Sequence, residues 1–182
     1  MSSDARAKLV RQLRIAYSAE LGAGYAYRGH WHSVRDADDR AHIRRIESEE
    51  WHHRELAGGL LRQLGGAPSR IREVIFWIIG HVIAGFCHVG GWFAPMYGAG
   101  RLERGNIVEY EDAAVFAAEC GQDEMIDCLL TMAEVEWDHE AYFRSKVIDH
   151  PMLRILKVWP PPPPRESIRE RFESERRTAI VA

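Results

Sequence analysis

The pattern Glu-x-x-His occurs twice in this chain, as Glu50-Trp51-His52-His53 and as Glu136-Trp137-Asp138-His139. Both copies lie in stretches whose apolar residues recur at helical spacing. Residues three apart on a helix share a face about one turn from each other, so each carboxylate and imidazole can reach the same cation. One pair offers too few donors for a hexacoordinate ion. Any fold that uses these pairs must therefore bring further oxygen donors to them, and a carboxylate on a neighbouring helix is the simplest source.

Height along a helix selects the partners. Glu20 precedes Glu50 by thirty residues, and the polar run Arg35-Asp36-Ala37-Asp38-Asp39 lies near the midpoint. At about 1.5 Å per residue, a helical hairpin turning there sets both glutamates roughly 21 to 23 Å from the turn. The same arithmetic pairs Glu103 with Glu136 across the break at Cys120-Gly121-Gln122-Asp123, and Glu109, Glu111 and Glu119 fit less well. The ligand set becomes Glu20, Glu50, His53, Glu103, Glu136 and His139. Four carboxylates and two imidazoles are the donors of ferritin-like di-iron and di-manganese bundles. Mixed oxygen and nitrogen donors point to two Fe ions, with Mn as the alternative. By contrast, His30, His32, His52, His81 and His88 have no carboxylate at ligand spacing and read as surface or core histidines.

The expected architecture is all-α: a ferritin-like four-helix bundle over residues 1–150, then a proline-rich linker and charged tail over 151–182. Helix one is expected from about Asp4 to Val34, with Glu20 inside an apolar stripe that includes Leu9, Leu13 and Tyr27. Helix two runs from about Asp38 to Leu64 and stops at Gly65-Gly66-Ala67-Pro68. Helix three ends near Glu119, and helix four spans about Asp123 to Ile148 before Pro151. Between helices two and three, Val74 to Gly100 contains no Asp, Glu, Lys or Arg. Such a run is a buried crossover, an apolar surface dipping into one leaflet, or a membrane span. His81, His88, six glycines and Pro95 argue against spanning. Beyond the polyproline run 160–164, residues Arg165 to Arg177 are charged on most faces and read as a solvated end or a docking helix.

A chain of 182 residues with a net charge of -3 suits one domain and carries no basic stripe for nucleic acid. Three cysteines without a C-x-x-C exclude a disulfide framework, a zinc ribbon and a rubredoxin-type iron centre. The first residues lack the apolar core of a signal peptide, so a cytoplasmic setting is expected.

Several segments are similar to the demethoxyubiquinone hydroxylase family, the di-iron monooxygenases of ubiquinone biosynthesis. Leu13-Arg14-Ile15-Ala16-Tyr17-Ser18-Ala19-Glu20-Leu21-Gly22-Ala23 resembles the family's first-helix signature, and Leu102-Glu103-Arg104-Gly105-Asn106-Ile107-Val108-Glu109-Tyr110 resembles its third-helix signature. The likeness covers roughly residues 9 to 145. It departs at Ala16-Tyr17 before Ser18-Ala19-Glu20, where the family has Asp-His before Ala-Gly-Glu, and at Glu109-Tyr110, where the family has His-Tyr. Ala133 to Glu140 looks more like the fourth helix of rubrerythrin.

What the resemblance implies is an O2-dependent monooxygenase that hydroxylates a quinol ring. Glu50 and Glu136 would bridge two irons, Glu20 and Glu103 would cap one each, and His53 and His139 would add a nitrogen each. Tyr110 would serve an electron or proton route, or simply pack in the core. The partners would be a quinol or other apolar small molecule, an external reductant, and the inner face of a membrane touched peripherally through 74–100. A homodimer is compatible with greasy flanks. The rival expectation is a ferroxidase or a rubrerythrin-like peroxide-reducing protein that uses the same six ligands without an organic substrate; an oxygenase for a different apolar substrate is the other.

Overall fold

A computed structural model describes residues 3–181. It is 83 % helix, with six α-helices and no strand among the described residues. In chain order these are α1 (Ser3–Ser33), α2 (Ala37–Gln63), α3 (Arg70–Val89), α4 (Phe93–Glu119), α5 (Asp123–Val147) and α6 (Ser167–Val181), with a short 3-10 turn at Pro151–Arg154. Contacts divide the chain into two compact units: Val10–Pro95, and Met1–Leu9 together with Met96–Ala182.

In the first unit, α1 and α2 form the expected antiparallel hairpin. Asp36 caps α2 by accepting the Asp39 N–H at 2.9 Å. The exit of α2 is closed by Gly65 at φ 68, whose N–H reaches Arg62 O at 2.8 Å while Gly66 N–H reaches Leu61 O at 2.9 Å. That is the left-handed termination that favours glycine. Antiparallel order follows from the cross-contacts, with Arg28 and Trp31 against Glu47 and the Tyr17 ring beneath Arg54.

Helix α3 departs from the buried-crossover expectation. It is a separate helix, and Ile71, Ile75, Ile78, Val82, Phe86 and Val89 are each at least 47 % exposed. At spacings of three and four these residues form one apolar stripe along the whole helix. The opposite edge lies against α1. A Cβ on Gly80 would overlap the Gly22 carbonyl, and one on Gly29 would run into Ala84, so the two backbones touch through small residues. At the start of α3, Glu73 accepts from Ser18 Oγ at 2.7 Å and pairs with Arg54, which ties the three helices together.

In the second unit, α4 and α5 form the other hairpin, closed by Gly121 at φ 73 with Gln122 N–H on Ala117 O at 2.8 Å. The tail is a docking helix. Ile168 and Phe172 of α6 are buried, and α5 presents carboxylates that its arginines match in antiparallel order. Arg176 meets Asp123 at 3.1 Å, Arg169 meets Asp127 at 2.7 Å and Glu134 at 2.6 Å, and Arg165 meets Asp138 at 3.1 Å. Such half-exposed pairs add little individually and mainly fix register. The connector is held too, since Trp159 Nε1–H donates to buried Glu140 at 2.6 Å and Trp137 Nε1–H donates to Pro163 O at 2.8 Å.

Two outcomes follow from this packing. Gly80→Ala forces α3 off α1 and should cost about 1–3 kcal/mol, read as a lower urea midpoint at unchanged slope. His30, buried on α1, has its pKa lowered to about 4 because burial disfavours the imidazolium, with Asp39 opposing. An unfolded histidine titrates near 6.5, so between these values only the unfolded chain holds the proton and stability falls as pH drops through that window. His30→Gln should abolish this slope, narrowing the gap between wild type and variant by at most roughly 3 kcal/mol from neutral pH to pH near 4.

Candidate metal centre

Each unit contains one Glu-x-x-His pair and one further glutamate. In the first, α1 carries Glu20 while α2 carries Glu50 and His53; in the second, α4 carries Glu103 while α5 carries Glu136 and His139. All six side chains are at most 3 % exposed. Within each triad every residue offers one ligand atom, and those atoms lie within 4.8 Å of one another. The helical hairpins thus place Glu20 beside Glu50 and Glu103 beside Glu136, as the height argument requires.

Electrostatics within the second triad show what these positions are suited to. Burial, and then the neighbouring Glu136 carboxylate, push the Glu103 carboxyl well above its ordinary value, while His139 and Asn106 pull the other way. Asn106 Nδ2–H donates to Glu103 at 2.9 Å and to Glu136 at 3.4 Å, and His139 Nδ1 lies 3.6 Å from Glu136. Carboxylates crowded in a water-poor interior repel, and a cation placed between them removes the repulsion. Carboxylate oxygens with one imidazole per triad fit a divalent first-row metal such as iron or manganese.

Of the other residues read from the sequence, Tyr110 is buried on α4 two turns after Glu103. His30 is buried, whereas His32, His52, His81 and His88 are exposed, and none joins a metal-competent group among the described residues. Cys87, Cys120 and Cys128 are free thiols, and burial raises Cys87 to about 11.

Two features escaped sequence reading. Asn106 sits three residues after Glu103 on the same face, so helical spacing could have found it. The other is Glu47, one turn before Glu50, whose carboxylate is gripped by Arg28, Trp31 and Trp51. Trp51 is its i+4 neighbour on α2, but Arg28 and Trp31 come from α1, and no local spacing announces them. Comparison of the chain with protein-family models, with curated proteins and with solved structures finds no match.

Removing one carboxylate separates electrostatics from fold. The unfolded Glu103 ionises near its ordinary value and the folded one only at higher pH, so its burden on stability is absent in acid and grows as pH rises through the folded value. Glu103→Gln should therefore stabilise chelator-treated protein at neutral pH, lose that gain in acid, and lower metal content. Thermal melts across pH, with elemental analysis, check all three.

Proposed function

We propose that Glu20, Glu50, His53, Glu103, Glu136 and His139 bind two iron ions, as in a ferritin-like four-helix bundle, and that the protein is an O2-dependent monooxygenase acting on the ring of a quinol. The observation that carries this reading is the pair of equivalent buried triads, each with two carboxylates and one imidazole within 4.8 Å. Together they supply the four-carboxylate, two-histidine donor set of di-iron carboxylate bundles. The hydroxylase-like segments around Glu20 and Glu103 favour the quinol.

In this reading Glu20, Glu50, Glu103 and Glu136 would supply the oxygen donors to the metals, and His53 and His139 would supply the nitrogen donors. Bound iron would supply the oxygen activation and redox chemistry that no side chain offers. The protein's own part is to hold the donors in place and exclude water. Asn106 steadies Glu103 and Glu136 by donating to both, which keeps the carboxylates aimed when their charge changes. Tyr110, buried on the helix of Glu103, is the candidate for passing a proton or electron to it.

The exposed stripe on α3 supports an apolar partner. One-sided apolarity along 20 residues suits a helix lying in the plane of a membrane interface rather than crossing it. A greasy quinol would then be met at the inner face of a membrane, where an external reductant also reaches the protein. A ferroxidase or peroxide-reducing role has no use for that stripe.

Iron-loaded protein with a reductant and O2 should convert a demethoxyquinol to its hydroxylated product, and Glu50→Ala should lose turnover while keeping its helical content. Oxidation of many Fe(II) ions per chain with no effect on quinols would replace the reading with the ferroxidase. Flotation with liposomes tests α3 separately: wild type should bind, and Ile78→Asp with Val82→Asp should not.

A further inference from the structure

Trp51 follows Glu50 on α2, and its indole is held on three sides. Gly24 of α1 leaves room for it, since a Cβ there would strike the indole ring. Its Nε1–H donates to Glu47 at 3.1 Å, and Glu47 also accepts from Trp31 Nε1 at 2.7 Å and Arg28 Nε at 2.8 Å. Burial raises the Glu47 carboxyl, but donation from Trp31, Trp51 and Arg28 outweighs it and leaves the group below its usual value, hence ionised. On the third side the Trp51 ring meets Tyr25 edge to face at 5.4 Å.

From Tyr25 the ring contacts continue outward. Tyr25 and His81 lie 4.3 Å apart, and His81 and Trp77 lie 4.2 Å apart, each pair tilted by less than 40°. The His81 ring is fixed by its Nδ1–H, which donates to Trp77 O at 2.8 Å. Trp77 is 47 % exposed on α3. Four rings therefore form an unbroken π-contact path from the surface to the neighbour of a metal ligand, all within the unit Val10–Pro95.

We propose that this path carries single electrons inward from the surface of α3 to a strongly oxidising iron centre that Glu50 and His53 would help to hold, with Trp51 as its inner station. The proposal rests on the dinuclear reading and supplies its electron route. When an electron leaves Trp51, the indole becomes a radical cation with its N–H bond intact. The Glu47 carboxylate across that N–H stabilises the positive charge, because charge-assisted hydrogen bonds are the strong ones. Arg28 stands over Tyr25 and Trp51 at 5.5 and 5.7 Å and disfavours positive charge on both. Only Trp51 has the compensating carboxylate bond, so the charge settles there rather than on Tyr25. An electron from Trp77, passed through His81 and Tyr25, refills Trp51. A one-electron donor of the ascorbate or quinol class then restores Trp77 from outside. His81 and Tyr25 act as tunnelling bridges and are not themselves oxidised, the donor releases its O–H proton to water, and each electron lost inside is matched by one taken up at the surface.

A metal-free experiment isolates the path. A soluble ruthenium polypyridyl photo-oxidant with a sacrificial acceptor removes an electron from exposed tryptophan, and transient absorption with electron paramagnetic resonance on ring-deuterated indole protein reads where the charge goes. Wild type should show a long-lived tryptophan radical; Trp51→Phe should lose the long-lived signal, and Trp77→Phe should form it more slowly. Circular dichroism verifies that both variants fold. Equal yield and lifetime in wild type and Trp51→Phe would overturn the proposal. In iron-loaded protein exposed to O2, Trp77→Phe should slow the quenching of the Trp51 radical by ascorbate at unchanged iron content, and an unchanged rate would also overturn it. Failure to take up iron removes the dinuclear reading alone, since the photochemical result still decides the path.

Discussion

Burying carboxylates beside one another is the constraint on which the rest of this structure depends. Glu103 and Glu136 share a water-poor interior, and burial, with repulsion from Glu136 added to it, raises the Glu103 carboxyl. A folded protein tolerates such a cluster only when the surrounding helices hold it against relaxation. The hairpins do this through the Asp36-capped turn between α1 and α2, the glycine-closed turn at Gly121 between α4 and α5, and contacts flanking each triad. Beyond the second triad, Gly100 admits the Trp159 ring against Phe143. Beyond the first, Tyr17 lies beneath Arg54 at 3.7 Å.

Other buried carboxylates are treated differently, and the contrast is informative. Glu140, next to His139, is paired with Arg144 and receives the Trp159 indole N–H at 2.6 Å. Glu47 receives Arg28 and two indoles. In both cases the charge is met by protein cations and donors, which is the ordinary condition for a buried acid. Glu103 and Glu136 instead have an amide between them and an imidazole nearby. Interior carboxylates set beside one another and an imidazole in this way could hold a metal ion.

Helical spacing made much of this legible. Two Glu-x-x-His pairs and the lengths between them determined which glutamates stand beside which, because helix rise is nearly invariant. The turns at Asp36 and Gly121 were equally readable from local chemistry. What stayed hidden was everything decided by pairing between distant segments. Residues 165–177 look solvated when read alone, since their arginines fall on the faces that water would take. Only opposite Asp123, Asp127, Glu134 and Asp138 of α5 do they become one side of a matched interface. Likewise the uncharged run 74–100 could not reveal its own exposure. Apolarity reports a dislike of water and says nothing of whether protein or lipid relieves it.

Small residues decide how that apolar run is used. Gly22 and Gly29 on α1 face Gly80 and Ala84 on α3, letting two backbones approach closely along one edge. Close approach consumes the small residues and leaves the large ones, Ile71 through Val89, turned outward. Large side chains on the packed edge would have buried α3 more deeply and moved it away from α1. The same approach sets His81 against Tyr25 at 4.3 Å, so ring contact and outward stripe have one cause. The proposed roles of α3, meeting an apolar surface and handing electrons inward, would need both, and the glycines on its inner edge are what make the two compatible.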